Sequence, residues 1–151
     1  MNRTEIIAKV MFHISEASKL IGLLNKDTGP SKNLGAVAES ALGKDASPDD
    51  IVPDDVGCAE SVSNIIRELI PDFPIITGTW TLWDKMENDE RFVNVTEPQP
   101  GDIIISPTGT LRNAPFIGHV GIMLDNYKIM SATSANGLWE QNYNLDSWNA
   151  I

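Results

Sequence analysis

The order of apolar patterns along the chain predicts an α+β protein. In the first 90 or so residues, apolar side chains recur at three- and four-residue steps, which is the period of a helix with one buried face. Later, short apolar runs alternate with turns rich in Gly, Pro, Asn and Asp, which is typical of antiparallel strands. Helices followed by strands indicate helices packed on a sheet. The length of 151 residues suits one domain over 1–151.

The first 50 residues are predicted to form a helical segment and the start of an acidic loop. Apolar residues recur through 4–24 and predict one long helix there, with His13 beside its apolar stripe. A short helix is predicted over 34–42, ended by Gly43. Residues 44–55 include Pro48 and Pro53 together with the run Asp49, Asp50, Asp54 and Asp55, which indicates an exposed loop. We expect this acidic run to be solvated; calcium binding through its oxygens stays open, although the spacing of the aspartates does not match an EF-hand.

The single cysteine, Cys58, lies where a third helix is predicted to begin. Four apolar residues continue its face at helical spacing: Val62, Ile65, Ile66 and Leu69. Just upstream, Asp54 and Asp55 offer carboxylates that could cap the helix, and Gly57 lets the backbone turn. Unpaired N–H groups and the dipole at a helix start favour a thiolate, so we expect Cys58 to have a lowered pKa and to be nucleophilic. Glu60, on the same helix, is expected to be solvated.

The remaining elements follow from local patterns. A helix is predicted over 79–88, and strands are predicted at 91–95, 103–105, 118–124, 128–132 and 138–143. Residues 106–118 form a loop with two prolines that leads directly into His119, and we expect this loop to form one lip of a substrate cleft.

A nucleophilic cysteine needs an imidazole that can accept its proton. The chain has two histidines, His13 and His119. His13 falls within the predicted first helix and has no catalytic neighbours in sequence. His119 opens a predicted strand 61 residues after Cys58, and such partners usually come from distant parts of a chain. We therefore predict His119 as the base.

Three pieces together carry a family resemblance: Cys58 at a helix start, Pro100-Gly101-Asp102 before a strand, and Gly118-His119-Val120-Gly121-Ile122. In this order they resemble the papain-like cell-wall hydrolases of the CHAP and NlpC-type families. The resemblance covers 56–148. It implies a papain-like catalytic core over 51–151, with helices on a small antiparallel sheet and the nucleophile at a helix N-terminus.

The resemblance also implies an activity. A cysteine peptidase or amidase would cleave an amide of bacterial peptidoglycan, either within the stem peptide or between that peptide and the sugar, as a phage endolysin does. Two other interpretations stay open. One is a papain-like hydrolase or acyltransferase with a different substrate, and the other is an inactive binding module of the same fold.

A third group should orient the His119 imidazole, and the two families place it differently. The CHAP pattern places it in the segment that contains Glu140 and Asn142, which share a face of a strand. The NlpC-type pattern places it at Ser131, where a histidine is usual. We favour Glu140, with Asn142 next and Ser131 last.

Composition limits which partners and which location can be expected for the protein. With 11 basic and 21 acidic residues, the formal net charge is −10 and no basic cluster appears, so nucleic acid is not an expected partner. One cysteine and two histidines predict neither a disulfide framework nor a metal or other cofactor. No apolar run reaches membrane-span length and no secretion signal is visible. We therefore expect synthesis in a cytoplasm and delivery to the wall, for example by a phage holin or particle.

Overall fold

The computed structural model of the protein describes residues 10–14, 33–106 and 118–149. Within these ranges the chain forms six strands and four α-helices: β1 (Val10–Ile14), α1 (Leu34–Ser40), α2 (Cys58–Arg67), α3 (Thr79–Glu87), β2 (Phe92–Val95), β3 (Ile103–Ser106), β4 (His119–Met123), β5 (Lys128–Ala132), β6 (Trp139–Asn144) and α4 (Leu145–Trp148). A 3-10 helix over Asp54–Val56 leads into α2. The predicted α+β class is confirmed.

All six strands form one antiparallel sheet in the order β2-β1-β3-β4-β5-β6. The first described strand, β1, is therefore an inner strand: Phe12 lies opposite Asn94 of β2 on one side and Ile103 of β3 on the other. Successive side chains of a strand point to opposite faces of the sheet. The sheet consequently has two chemically distinct faces.

Helices cover the face that we call the helical face, which carries Val120 and Ile122 of β4. Helix α2 packs on β4 and β5, and its buried side chains join the main hydrophobic core together with those of α1 and α3. The indole N–H of Trp139 in β6 donates to the Ala38 carbonyl oxygen of α1 at 3.0 Å, which ties the far strand to this helical layer.

The opposite face, which we call the second face, carries a smaller cluster: Met11, Ile104, Met123, Ile129 and Trp148. Trp148 comes from α4, a helix of four residues that the sequence analysis does not predict. Asn144 and Ser147 form a reciprocal capping box that starts α4. This short helix thus fixes a fully buried indole on the second face.

The prediction of a helix over 4–24 is wrong at 10–14, where the chain forms β1. An inner strand is buried on both faces, so its side chains need not alternate between apolar and polar. Met11, Phe12 and Ile14 are all buried, and their spacing also fits a helix, which is why periodicity alone misassigned them. The rest of the predicted helix lies outside the described residues.

The other predicted helices and strands are confirmed, with ends within about two residues of the predicted ones. Gly57 is the N-cap of α2 and no side chain caps this helix, so the expected capping by an aspartate is wrong. The predicted cleft lip at 106–118 lies almost wholly outside the described residues. No helix in the described part of the chain is both long and apolar enough to cross a membrane.

Candidate active site

Cys58 is the first residue of α2 and is 9% exposed. Its Sγ lies 3.9 Å from the hydroxyl oxygen of Thr79, the first residue of α3. That hydroxyl donates to the Gly118 carbonyl oxygen at 3.2 Å. Because Gly118 immediately precedes β4, the thiol lies beside the beginning of the strand that carries His119.

Burial raises the pKa of the Cys58 thiol above its ordinary value. The Thr79 hydroxyl and the backbone N–H groups of Val120, Ala59 and Cys58 act in the opposite direction, but they do not offset the loss of solvent. The backbone N–H groups at the helix start therefore lower the pKa of Cys58, as predicted, but by less than burial raises it. The prediction of a lowered pKa is wrong, and Cys58 rests as a thiol at neutral pH.

The His119 imidazole begins a hydrogen-bonded chain across three strands. Its Nε2 lies 3.0 Å from the Ser131 hydroxyl oxygen, and that hydroxyl donates to Asn142 Oδ1 at 2.7 Å. The only proton of the Ser131 hydroxyl is committed to Asn142, so Ser131 accepts from the Nε2–H of His119. This assigns the proton of the neutral ring to Nε2 and leaves Nδ1 as its basic atom.

Aromatic rings surround the same imidazole. The Tyr143 and Trp148 ring centroids lie 5.4 and 5.2 Å from that of His119. Burial lowers the pKa of His119 to about 4. The ring is therefore neutral at pH 7 and can accept a proton.

Cys58 and His119 lie on opposite faces of the sheet. Cys58 belongs to the core of the helical face together with Val120. His119, one residue earlier in β4, points to the second face, where it contacts the aromatic rings of Tyr143 and Trp148. Within the described residues, no hydrogen bond joins Cys58 Sγ to the imidazole. Cys58 and His119 thus lie on either side of the beginning of β4 and are not hydrogen-bonded to each other.

The orienting group in the structure is Ser131, which the sequence analysis ranked last. Glu140, ranked first, lies opposite Ser131 in the strand register, and the described residues include no hydrogen bond between its carboxylate and His119. Asn142 is connected to His119 only indirectly, because its Oδ1 accepts from the Ser131 hydroxyl. A register irregularity at Ile129/Met130 shifts the pairing of β5 with β6, and a regular alternation pattern gives no sign of it.

Two further acidic groups have structural partners. Glu60 is fully buried, and its carboxylate oxygens accept from the backbone N–H groups of Ile51 and Val52 at 3.1 and 3.2 Å. The expectation that Glu60 is solvated is therefore wrong, because the carboxylate holds the acidic loop against α2. Asp102, 1% exposed, contacts Nδ1 of His13 across β1 and β3. His13 thus has a buried carboxylate partner. Its strand, β1, is separated from β4 by β3 in the sheet.

Sequence reasoning missed three residues of this region: Thr79, Tyr143 and Trp148. The sequence marks Thr79 only as a possible helix cap, and nothing local connects it with Cys58. The two aromatic residues become visible as neighbours of His119 only when β6 and α4 are placed on the second face.

No group of three or more His, Cys, Asp or Glu side chains within the described ranges is arranged to hold a metal ion. No protein-family model, no curated protein and no solved structure matches this chain.

Proposed function

We propose that this protein is a cysteine hydrolase with a papain-like fold that cleaves an amide bond of bacterial peptidoglycan. The observation that carries the proposal is the chain His119–Ser131–Asn142, which orients a neutral imidazole and leaves Nδ1 as its basic atom on β4, the strand on which the Cys58 helix packs. An oriented, unprotonated imidazole is what a thiol nucleophile requires as its base.

In the proposed reaction, Nδ1 of His119 takes the proton of the Cys58 thiol, and the thiolate attacks the amide carbonyl carbon. Unpaired N–H groups of the first turn of α2 bind the oxyanion. The imidazolium then gives its proton to the leaving amine, and the acyl group remains on sulfur as a thioester. Water attacks the thioester, releases the acid and restores the thiol.

The protonation states of Cys58 and His119 set a requirement for this reaction. At neutral pH both groups are uncharged, because burial raises the pKa of Cys58 and lowers that of His119. Both shifts oppose proton transfer from the thiol to the imidazole in the resting protein, so the proposed mechanism requires substrate binding to change the surroundings of both groups. Catalytic hydrogen bonds are often long in a free enzyme and tighten in the complex, so a bound amide would bring Sγ and Nδ1 into reach around the end of β4.

Peptidoglycan as the substrate rests on the family resemblance of the Cys58, Pro100-Gly101-Asp102 and His119 motifs. An acidic protein, with a net charge of −10, would have to recognise this polymer through hydrogen bonds and packing in a cleft. Both the stem-peptide bonds and the bond between peptide and sugar have the chemistry required, since each is an amide.

The test is mass spectrometry of soluble fragments from purified peptidoglycan incubated with the protein. We expect fragments with the native chain, and a loss of at least about a thousandfold in their release with Cys58→Ala or His119→Gln. New amino and carboxyl end groups identify the bond. The matched control is His13→Gln, which changes the other histidine and should keep most of the activity in a folded product.

Release that persists in Cys58→Ala would contradict the proposed mechanism. An absence of fragments from several wall types, with rapid alkylation of Cys58, would instead indicate a cysteine hydrolase or acyltransferase for a different acyl group.

A second candidate function is a binding module of the same fold without turnover. The observation that favours it is the burial of Cys58, 9% exposed, without a hydrogen bond to the imidazole in the described structure. This candidate predicts that Cys58 resists iodoacetamide at pH 7.5 even when peptidoglycan is present, and that Cys58→Ala binds peptidoglycan as the native chain does in a pull-down assay.

A further inference from the structure

One hydroxyl group connects the three elements that meet beside Cys58. Thr79 Oγ1 lies 3.9 Å from Cys58 Sγ at the start of α2 and donates to the Gly118 carbonyl oxygen, 3.2 Å away, just before β4. Thr79 is itself the first residue of α3 and is only 7% exposed. Its hydroxyl therefore has two partners, and few water molecules compete for them.

A hydroxyl has one proton to donate and lone pairs that accept. In the resting protein the proton is used on Gly118, so the Cys58 thiol is the donor toward the Thr79 oxygen. When sulfur loses its proton it can only accept. The Thr79 hydroxyl can then rotate and donate to the thiolate, and a hydrogen bond to a charged acceptor is the stronger of the two.

We propose that Thr79 is a positioning residue that exchanges its hydrogen bond from the Gly118 carbonyl oxygen to Cys58 Sγ when the thiolate forms. The exchange stabilises the nucleophile and at the same moment frees the backbone next to His119. The inference rests on the proposed function in one respect, since it takes Cys58 as the nucleophile. No proton changes owner at Thr79; only its acceptor changes.

The titratable groups around the start of α2 leave this role to Thr79. On α2, Glu60 is held by the amides of Ile51 and Val52, and on β4 the imidazole of His119 is held by Ser131. The remaining charged side chains of these elements point elsewhere or are exposed: Arg67 at the other end of α2, Glu39 of α1, Asp54 of the 3-10 helix, Asp84, Lys85 and Glu87 of α3, and Lys128 of β5. Within the described residues, Thr79 is the only side chain that forms a hydrogen bond to Cys58 Sγ.

The test measures the rate of Cys58 alkylation by iodoacetamide from pH 6 to pH 11 in the full chain, by intact-protein mass spectrometry. The chain has one cysteine, so the reading is unambiguous. We expect Thr79→Val to move the midpoint of the profile upward by about one pH unit, which slows alkylation about tenfold on the rising limb. Thr79→Ser, which keeps the hydroxyl, should retain the native profile.

The matched control is Thr81→Val, the same substitution at an exposed position of the same helix. Urea unfolding verifies that each variant is folded, and Thr79→Ala replaces Thr79→Val if valine prevents folding. A native profile in folded Thr79→Val or Thr79→Ala would overturn the inference. An equal shift in Thr79→Ser would also overturn it, because packing rather than the hydroxyl would then be responsible.

Alkylation does not depend on wall cleavage, so the two proposals fail separately. If no wall fragments appear but Thr79→Val shifts the profile and Thr79→Ser does not, the proposed function is wrong and the role of Thr79 stands. If wall fragments appear but the profile of Thr79→Val is native, the proposed function stands and the proposed role of Thr79 is wrong.

Discussion

His119 is held in a surrounding that keeps it neutral and fixes its tautomer. Its Nε2–H is committed to Ser131, and the rings of Tyr143 and Trp148 pack against the partly buried imidazole. A histidine in this state is a weaker base than a solvated one, and it is available as a base over the whole neutral range. The same burial makes His119 a source of pH-dependent stability.

We expect the protein to lose stability as pH falls from about 6.5 to about 4 because of His119. The folded ring has a pKa of about 4 and the unfolded ring has the ordinary value of 6.5. Between these values the unfolded state binds the proton and the folded state does not, so stability falls with pH; above 6.5 both are neutral. Urea unfolding should give a free energy about 2 kcal/mol lower at pH 5 than at pH 7.5.

The comparison chain is His119→Gln, which keeps an amide donor for Ser131 and cannot titrate in this range. Its loss of stability between pH 7.5 and pH 5 should be smaller than that of the native chain by about 2 kcal/mol. Equal losses in the two proteins would show that His119 is not a buried neutral group.

At the scale of elements, sequence periodicity located most helices and strands and failed at β1. The strands from β2 to β6 are bounded by turns, and α2 has a clear apolar face, so local patterns suffice for them. Met11 is buried on one face of the sheet and Phe12 and Ile14 are buried on the other, and only the pairing of this segment with β2 and β3 reveals a strand. That pairing joins positions about 80 to 95 residues apart, beyond the range of any local pattern.

The difference between local patterns and long-range contacts also explains which residues of the candidate site could be predicted. Cys58 and His119 were chosen as candidates because the chain contains one cysteine and two histidines, and few residue types can perform this chemistry. Ser131 and Thr79 are ordinary residue types whose contacts with these two candidates come from long-range packing. The face to which His119 points and the burial of Cys58 also depend on the completed sheet, so the sequence could not supply them.

We expect Phe12→Ala to destabilise the protein by about 3 to 5 kcal/mol, because Phe12 is 1% exposed on the inner strand β1 and its removal leaves a cavity. Val93→Ala is the control from the neighbouring strand. Val93 is 45% exposed, and its truncation should change the free energy of unfolding by less than about 0.5 kcal/mol. Urea unfolding measures both, and similar small effects would contradict the place of β1 in the sheet.

At the scale of the whole molecule, the net charge of −10 shapes any encounter with a bacterial wall. Walls that carry anionic polymers repel an acidic protein, and salt screens this repulsion. The proposed activity should therefore increase with ionic strength, whereas an enzyme attached through basic residues would lose activity.

We expect fragment release from intact anionic walls to rise severalfold between about 10 and 150 mM NaCl, over which range the screening length shortens from roughly 30 to 8 Å. Walls stripped of their anionic polymers should give a much flatter response, and this comparison separates substrate repulsion from effects on the enzyme itself. A steady fall of activity with salt on both substrates would argue that a local basic surface attaches the protein.

The position of β1 also has a consequence for the timing of synthesis. This strand is made before the other five strands of the sheet, and one of its partners, β3, ends at Ser106, about 90 residues later. At 5 to 20 residues per second, a ribosome needs roughly 5 to 20 seconds to cover that distance. For most of this delay, until β2 is made at Phe92–Val95, the nascent chain carries an apolar segment with no neighbouring strand. A chaperone that shields it would act before any part of the sheet can close.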